Sequence, residues 1–370
     1  MRRPPTGGHY IKGADAMFSI SVCMIVKNEE KVIGRCLSCV RSFADEIIVV
    51  DTGSSDETIA IAREMGAVVY EQEWTDDFAA ARNYSFSKAN CDYQMWLDAD
   101  DVIDQINQEK ILALKQDMDP NTDVVMMTYE MSHASYEAPL KFERERLVKT
   151  NRHFQWEGRV HENIRYSGSI LHTDICIRHQ KEYINDPNRN LKIFESMLKE
   201  GETFTERDLY YYARELKDHG RYDEAITCYK SFLKQGGWKE DLIQACCDLG
   251  HCYLHIQEKK KALTAYFHSF VYERPVSRIC NAIGAWMMEE KRFEEAVYWY
   301  QQSLCSKHRG GFENQDEHLF LPAYQLSVCY YYLDEKKAAC HWFYAAKKCH
   351  PKHPLIVENE RFHKKGILSD

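Results

Sequence analysis

YQMWLDADD (93–101) decides the fold, because it is a short apolar run that ends in a cluster of acids. A buried strand of this kind delivers its last residues to the carboxyl edge of a sheet, where open α/β folds build ligand sites. Asp98 and Asp100, one residue apart, orient two carboxylates toward one cation. Mg²⁺ and Mn²⁺ prefer such oxygen ligands, and either ion can bridge the diphosphate of a bound nucleotide. Diphosphate leaves poorly until a cation stabilises the charge that develops on it. An Asp-x-Asp string alone also describes a solvated loop, so the neighbouring stretches must carry the reading.

Those stretches alternate strand and helix patterns, the mark of an α/β layer with a mostly parallel sheet. SISVCMIV (19–26) reads as a buried strand, and Val32, Ile33, Cys36, Leu37 and Val40 then recur at helical spacing. EIIVVD (46–51) is a second strand that breaks at TGSSDET, where Gly53 permits a tight turn and Ser55 or Asp56 can cap a helix. AVVYE (67–71) is a third strand, and 76–88 a helix. Strand-like pieces continue through DVVMMTYEM (123–131), ERLVKT (145–150) and ILHTDICIRH (170–179).

CMIVKNEE, VVDTGSSDET, WTDDFAAARN and LDADD, in that order, resemble the family-two glycosyltransferases of GT-A fold, in particular the group of sublancin-type peptide S-glycosyltransferases and lipopolysaccharide-core glucosyltransferases. The resemblance covers roughly residues 18–180. It implies an inverting transferase that uses a UDP-sugar, with glucose or N-acetylglucosamine as the sugar and Mn²⁺ or Mg²⁺ as the ion. Val26, Asn28 and Glu29 would line the nucleoside pocket, Asp51 would meet the uracil or ribose, and Ser54 would lie in the adjoining turn. Arg82 would stand near the diphosphate, and Asp98, Ala99 and Asp100 would hold the ribose and the metal. Read without the family, Asn28, Ser54 and Asp51 are also turn or cap residues, and Arg82 a surface ion-pair residue.

WEGRVHENI (156–164) gathers aromatic, Gly, Arg, His and Glu side chains. An attacking acceptor needs a base, and Glu162 is the first candidate, with His161 second. His161 could instead be a hydrogen-bonded core histidine, and Trp156 either stacks on a sugar or belongs to the core. His179, at the end of ICIRH, would supply a nitrogen ligand to the metal, as a late histidine does in several GT-A enzymes.

Past about residue 187 the strands stop. LYYYARELKDHGRYDEAITCYKSFL, CCDLGHCYLHIQEKKKALTAYFHSF, CNAIGAWMMEEKRFEEAVYWYQQSL and YQLSVCYYYLDEKKAACHWFYAAKK align as an internal repeat. Small residues correspond at Ala213, Gly250, Gly284 and Ser327, alanines at 225, 262, 296 and 339, and aromatics at Tyr229, Tyr266, Tyr300 and Phe343. The alanines are 37, 34 and 43 residues apart, and an insertion at 308–318 accounts for the last gap. The pattern resembles the tetratricopeptide repeat, a helix pair of about 34 residues. The expected architecture is therefore an α/β GT-A domain over 17–185 followed by an all-α tetratricopeptide-like domain over 186–370. Residues 1–16, polar and rich in Pro and Gly, are expected to be a disordered tail or a cloning remnant.

A chain of 370 residues with formal net charge −9 offers no basic excess to neutralise phosphates, so nucleic acid is not an expected partner. The fourteen cysteines are scattered through apolar patterns and read as buried thiols. Cys36 and Cys39 come closest to a zinc pair, but they sit in an amphipathic helix without a second pair. No apolar run reaches the roughly 18 residues of a membrane span, which leaves the cytoplasm as the expected location. The leading expectation is transfer to a protein or peptide recognised by the helical array, a surface that would equally serve a homodimer. The alternatives are a saccharide acceptor of lipopolysaccharide or capsule, and a non-catalytic adaptor. Retention of Asn28, Asp51, Arg82, Asp98 and Asp100 together speaks against the adaptor.

Overall fold

The computed structural model describes residues 17–131, 140–180, 186–306 and 316–367. The amino-terminal sixteen residues and most of the 308–318 insertion lie outside them. Two compact units result, Met1–Glu130 with Glu143–Tyr183 and Met131–Phe142 with Ile184–Asp370.

In the first unit, strands β1 (Ile20–Val26), β2 (Glu46–Asp51), β3 (Val68–Glu71) and β4 (Tyr93–Trp96) alternate with helices α1 (Ile33–Val40), α2 (Thr58–Glu64) and α3 (Phe78–Phe86). β5 (Asp101–Val102), α4 (Gln105–Asp117), β6 (Val124–Met131) and β7 (Leu140–Lys149) follow, then the short β8 (Trp156–Glu157) and β9 (Asn163–Ile164), and finally β10 (Ile170–His179). The main sheet runs β3-β2-β1-β4-β7-β6-β10-β5, and β8 pairs with β9 apart from it. β3, β2, β1 and β4 are parallel neighbours, whereas β7 lies antiparallel to β4 and β10 to β5.

The parallel strands read as near-continuous apolar runs because both faces are covered; in β1 only Ile25 is not fully buried. The acidic stretch departs from the expected single strand, since β4 ends at Trp96 and the chain turns through residues 97–100 before β5. These four residues join the fourth position of the sheet to its last. Four residues reach at most about 14 Å, so the far edge of the sheet curls back to the end of β4. That closure brings His179 opposite Asp101 in the β10–β5 register. Helix α3 begins later than expected, because Asp76 takes a left-handed φ of 56° and Asp77 caps the helix by accepting from Ala80 N at 2.8 Å. At the start of α2, Asp56 Oδ1 accepts from Thr58 N at 3.1 Å.

In the second unit α5 (Arg189–Lys199) precedes four helix pairs: α6 (Glu206–Asp218) with α7 (Tyr222–Gln235), α8 (Lys239–His255) with α9 (Lys259–His268), α10 (Ser277–Glu289) with α11 (Phe293–Cys305), and α12 (Leu321–Tyr332) with α13 (Lys336–Cys349). α14 (Pro354–Ile367) follows. The aligned residues pack as the repeat requires. Ala225, Ala262, Ala296 and Ala339 are buried, and so are Tyr229, Tyr266, Tyr300 and Phe343. A Cβ added at Gly250 would lie 2.1 Å from the Tyr266 ring, and one at Gly284 2.8 Å from Tyr300, so these positions are small because an aromatic fills the space. Each inter-helix turn also holds one left-handed residue five positions before the repeat's aligned alanine: Gly220, Gln257, Lys291 and Asp334, with φ of 72°, 63°, 57° and 58°.

Candidate active site

The site is built at the carboxyl ends of β1, β2 and β4. Where β1 ends, Asn28 adopts φ 56°, so its amide donates to Ser54 Oγ at 2.8 Å while its Oδ1 accepts from Ser55 N at 2.8 Å. Glu29 N donates to Thr58 Oγ1 at 2.7 Å. Val26 is buried, and its carbonyl accepts from Thr52 N and Thr52 Oγ1. These residues therefore clip two loops together, as turn residues do, and shape whatever binds beside them. Asp51 is different. Its Oδ1 accepts from Gly53 N and Ser54 N at 2.9 and 2.8 Å, but its Oδ2 is buried without a partner. A buried carboxylate oxygen left unpaired is costly unless a ligand donor completes it.

At the end of β4, Arg82 reaches in from α3. It is 7% exposed, not the surface residue its charge suggested. Nη2 donates to Asp98 Oδ1 at 2.8 Å, Nε donates to Glu162 Oε1 at 2.6 Å, and the guanidinium lies over the rings of Trp96 and Trp156. Aromatic faces on a planar cation hold it in one orientation. Burial works to raise the Asp98 carboxyl, but Arg82 and Arg146 beside it override that and hold it well below the usual carboxylate range. Trp156 is 3% exposed and packs on Phe86 and Trp96, which makes it core and not a sugar platform.

Asp98, Asp100, Asp101 and His179 each bring one ligand atom within 4.8 Å of the others. His179 Nδ1 lies 3.1 Å from Asp100 Oδ1 and 3.4 Å from Asp101 Oδ1. Burial works to lower the His179 imidazole, yet the hydrogen bonds to Asp100 and Asp101 push it up to about 10. The same carboxylates that favour a proton on His179 would favour a divalent ion in its place. Carboxylate oxygens with one imidazole suit Mn²⁺ or Mg²⁺, so the residues present fit the expected ion. Ala99 is buried between the two acids of the motif.

The structure brings Arg82, Asp98, Asp100, Glu162 and His179 into one constellation, and places Val26, Asn28, Glu29, Asp51 and Ser54 around the β1 and β2 ends. His161, with φ 53°, sits in the hairpin that joins β8 to β9, beside Glu162. Reading the sequence missed Arg146, which is fully buried against Asp101 at 3.0 Å. A signal was present, since Arg146 shares a strand face with buried Val148, and a charge at a core-facing position requires a partner.

The description "Glycosyl transferase family 2" belongs to the family model that matches residues 21–175. The chain is 28% identical over 250 residues to the SPbeta prophage-derived glycosyltransferase SunS of Bacillus subtilis, covering 62% of this chain and 58% of that protein. It is 36% identical over 95 residues to an uncharacterized glycosyltransferase of Rickettsia typhi, covering 26% and 32% of the two chains. A TPR repeat-containing protein of Synechococcus elongatus is 49% identical over 88 residues, 24% of this chain and 22% of that one. The chain thus spans less than two thirds of the length of these relatives. Among the described residues no helix is long and apolar enough to cross a membrane.

Proposed function

We infer that this chain, which carries a glycosyl transferase family 2 domain, is an inverting, metal-dependent transferase that moves glucose or N-acetylglucosamine from a UDP-sugar to a protein or peptide in the cytoplasm. The observation that carries the reading is the convergence of Arg82, Asp98, Asp100, Glu162 and His179 at the end of β4, with the unpaired Asp51 Oδ2 marking a second binding point at the end of β2. We assign the catalytic domain to 17–185 and the acceptor-binding helical repeats to 186–370.

Asp98, Asp100 and His179 would hold Mn²⁺ or Mg²⁺, which when bound offsets the charge that grows on the leaving diphosphate. Asp51 Oδ2 accepts a donor hydrogen from the nucleoside, and the Asn28–Ser54 clip fixes the loop around it. Glu162 takes the acceptor's proton as the acceptor attacks the anomeric carbon and the bond to diphosphate breaks. Arg82 holds Glu162 Oε1, which leaves Oε2 as the oxygen for that proton. By joining Glu162 to Asp98, Arg82 also keeps base and metal site at a fixed separation.

The test is calorimetric titration of UDP-glucose and UDP-N-acetylglucosamine with and without Mn²⁺, on the wild type and Asp100→Ala. Metal-dependent binding that is lost in the variant, with slow donor hydrolysis by the wild type, is the expected result. A wild type that binds no nucleotide sugar under any metal condition would overturn the reading and favour the adaptor.

A further inference from the structure

The four residues able to ligate an ion are not equivalent. Side-chain exposure is 32% for Asp98, 17% for Asp100 and 16% for His179, but zero for Asp101. Both Asp101 oxygens are already engaged: Oδ1 accepts from the Tyr129 hydroxyl at 2.9 Å, and Oδ2 from Arg146 Nη1 and Asp98 N, each at 3.0 Å. Asp101 N in turn donates to Asp98 O at 3.1 Å, so the turn through residues 97–100 is closed from both sides.

Arg146 is the second observation. Its guanidinium carbon lies 3.6 Å from the centre of the Trp96 ring and 4.0 Å from that of Tyr129, with no solvent exposure. Nη1 donates also to Trp96 O at 3.2 Å, at the end of β4, while Nε and Nη2 have no partner. A buried arginine with unmet donors is an unfavourable packing element. What it accomplishes is to tie β7 to the last residue of β4 and the first of β5, the two ends of the acidic turn.

Resting on the functional reading above, we propose that Asp101 is not a metal ligand but a positioning residue, and that Arg146 and Tyr129 lock it so that the turn presents Asp98 and Asp100 to the divalent cation. Groups that orient ligands in this way set metal affinity about as strongly as some ligands do.

The proposal has a sign that electrostatics alone would reverse. Arg146 is a positive charge beside a cation site, so removing it should tighten metal binding if charge were all that mattered. Positioning demands the opposite.

The experiment measures Mn²⁺ affinity by the loss of the free-ion EPR signal, together with the unfolding midpoint in EDTA, for wild type, Arg146→Met, Tyr129→Phe, Asp101→Asn and Asp100→Ala. Arg146→Met, if it folds, is expected to weaken Mn²⁺ binding about 10–100-fold. Tyr129→Phe, neutral and close in size, keeps the test intact where Arg146→Met does not fold, and is expected to weaken binding about tenfold. A lowered unfolding midpoint with unchanged Mn²⁺ affinity marks a purely structural role and overturns the proposal. So does tighter binding in Arg146→Met or Tyr129→Phe. A wild type that takes up no Mn²⁺ overturns the functional reading along with it, whereas normal uptake by the wild type and by both variants defeats this proposal alone.

Discussion

The two units differ in what repeats inside them. In the α/β unit the interior holds charges, each present once: Asp51, Arg82, Asp101 and Arg146 are all at or below 7% exposure. In the helical unit one solution is stamped four times, a small residue facing an aromatic, with a left-handed turn residue before an alanine, and its buried acids serve the scaffold, Asp208 capping α6 and Asp248 pairing with Lys217. A singular buried charge is hard to justify by packing, because desolvation opposes it, so it points to chemistry. A repeated apolar position is explained by packing alone. Substitutions should therefore divide: in the first unit they remove chemistry, and in the second they remove stability.

The largest expected effect is on the side of chemistry. Asp100→Ala should lower UDP-sugar turnover by about a thousandfold or more, since an ion that stabilises the leaving diphosphate is worth several kcal/mol. Its unfolding midpoint in EDTA should stay near that of the wild type, because the side chain is partly exposed and leaves fewer carboxylates behind. A variant that keeps its turnover would break the contrast between the units. Next, Glu162→Gln should slow transfer about 10²–10⁴-fold with donor binding retained. His161→Gln should have the smaller effect; the reverse order would move the base to His161.

The residues that were legible in advance were those whose local pattern carries the information. Asp98 and Asp100 stand out because an apolar run ends in them, and the repeat because small, alanine and aromatic positions recur in register. What was not legible depends on the sheet's curl. The sequence shows YQMWLDADD as one strand, and nothing local reveals that the chain leaves the sheet at Leu97 and re-enters it at the far edge. Hence Asp101 received no role of its own, and Arg146, some 45 positions away, had no visible partner. For Arg82 a place near the diphosphate and a surface ion pair stayed open, and its enclosure was not legible because the two tryptophans around it come from β4 and β8. In the helical unit every decisive contact lies within one repeat or between neighbours, which is why the pattern alone sufficed.

The helical unit offers a graded test of its own side of the comparison. Gly250→Ala would push a Cβ to within 2.1 Å of the Tyr266 ring, against 2.8 Å from Tyr300 for Gly284→Ala. Overpacking of this kind costs about 1–3 kcal/mol, and the tighter site should lie at the upper end. Urea unfolding followed by far-ultraviolet circular dichroism would rank the two, with donor hydrolysis by the folded variants unchanged. Equal losses would mean that the ring at 266 swings aside as easily as the one at 300, and that the repeat tolerates more than its packing implies.

The smallest expected effect concerns a buried carboxylate of the helical unit that, unlike Asp248 with Lys217 at 2.7 Å, has no close ion pair among the described residues. Asp241, near the start of α8, is 8% exposed, and burial pushes its carboxyl up to about 6, against the downward pull of Arg207 and Arg214. The sign follows from linkage. A carboxyl raised from 3.8 to about 6 on folding favours the protonated form, so its contribution is fully present below 3.8 and is lost as the pH rises through about 6. At pH 7.5 the protein carries a buried carboxylate that it would hold better neutral. Asp241→Asn should then stabilise the helical transition by about 1–2 kcal/mol at pH 7.5, less than the full shift implies because a helix amino terminus favours negative charge. Near pH 4 wild type and variant should converge. If Asp241→Asn is instead the weaker protein at pH 7.5, the two arginines hold the carboxylate as an ion pair, as Lys217 holds Asp248.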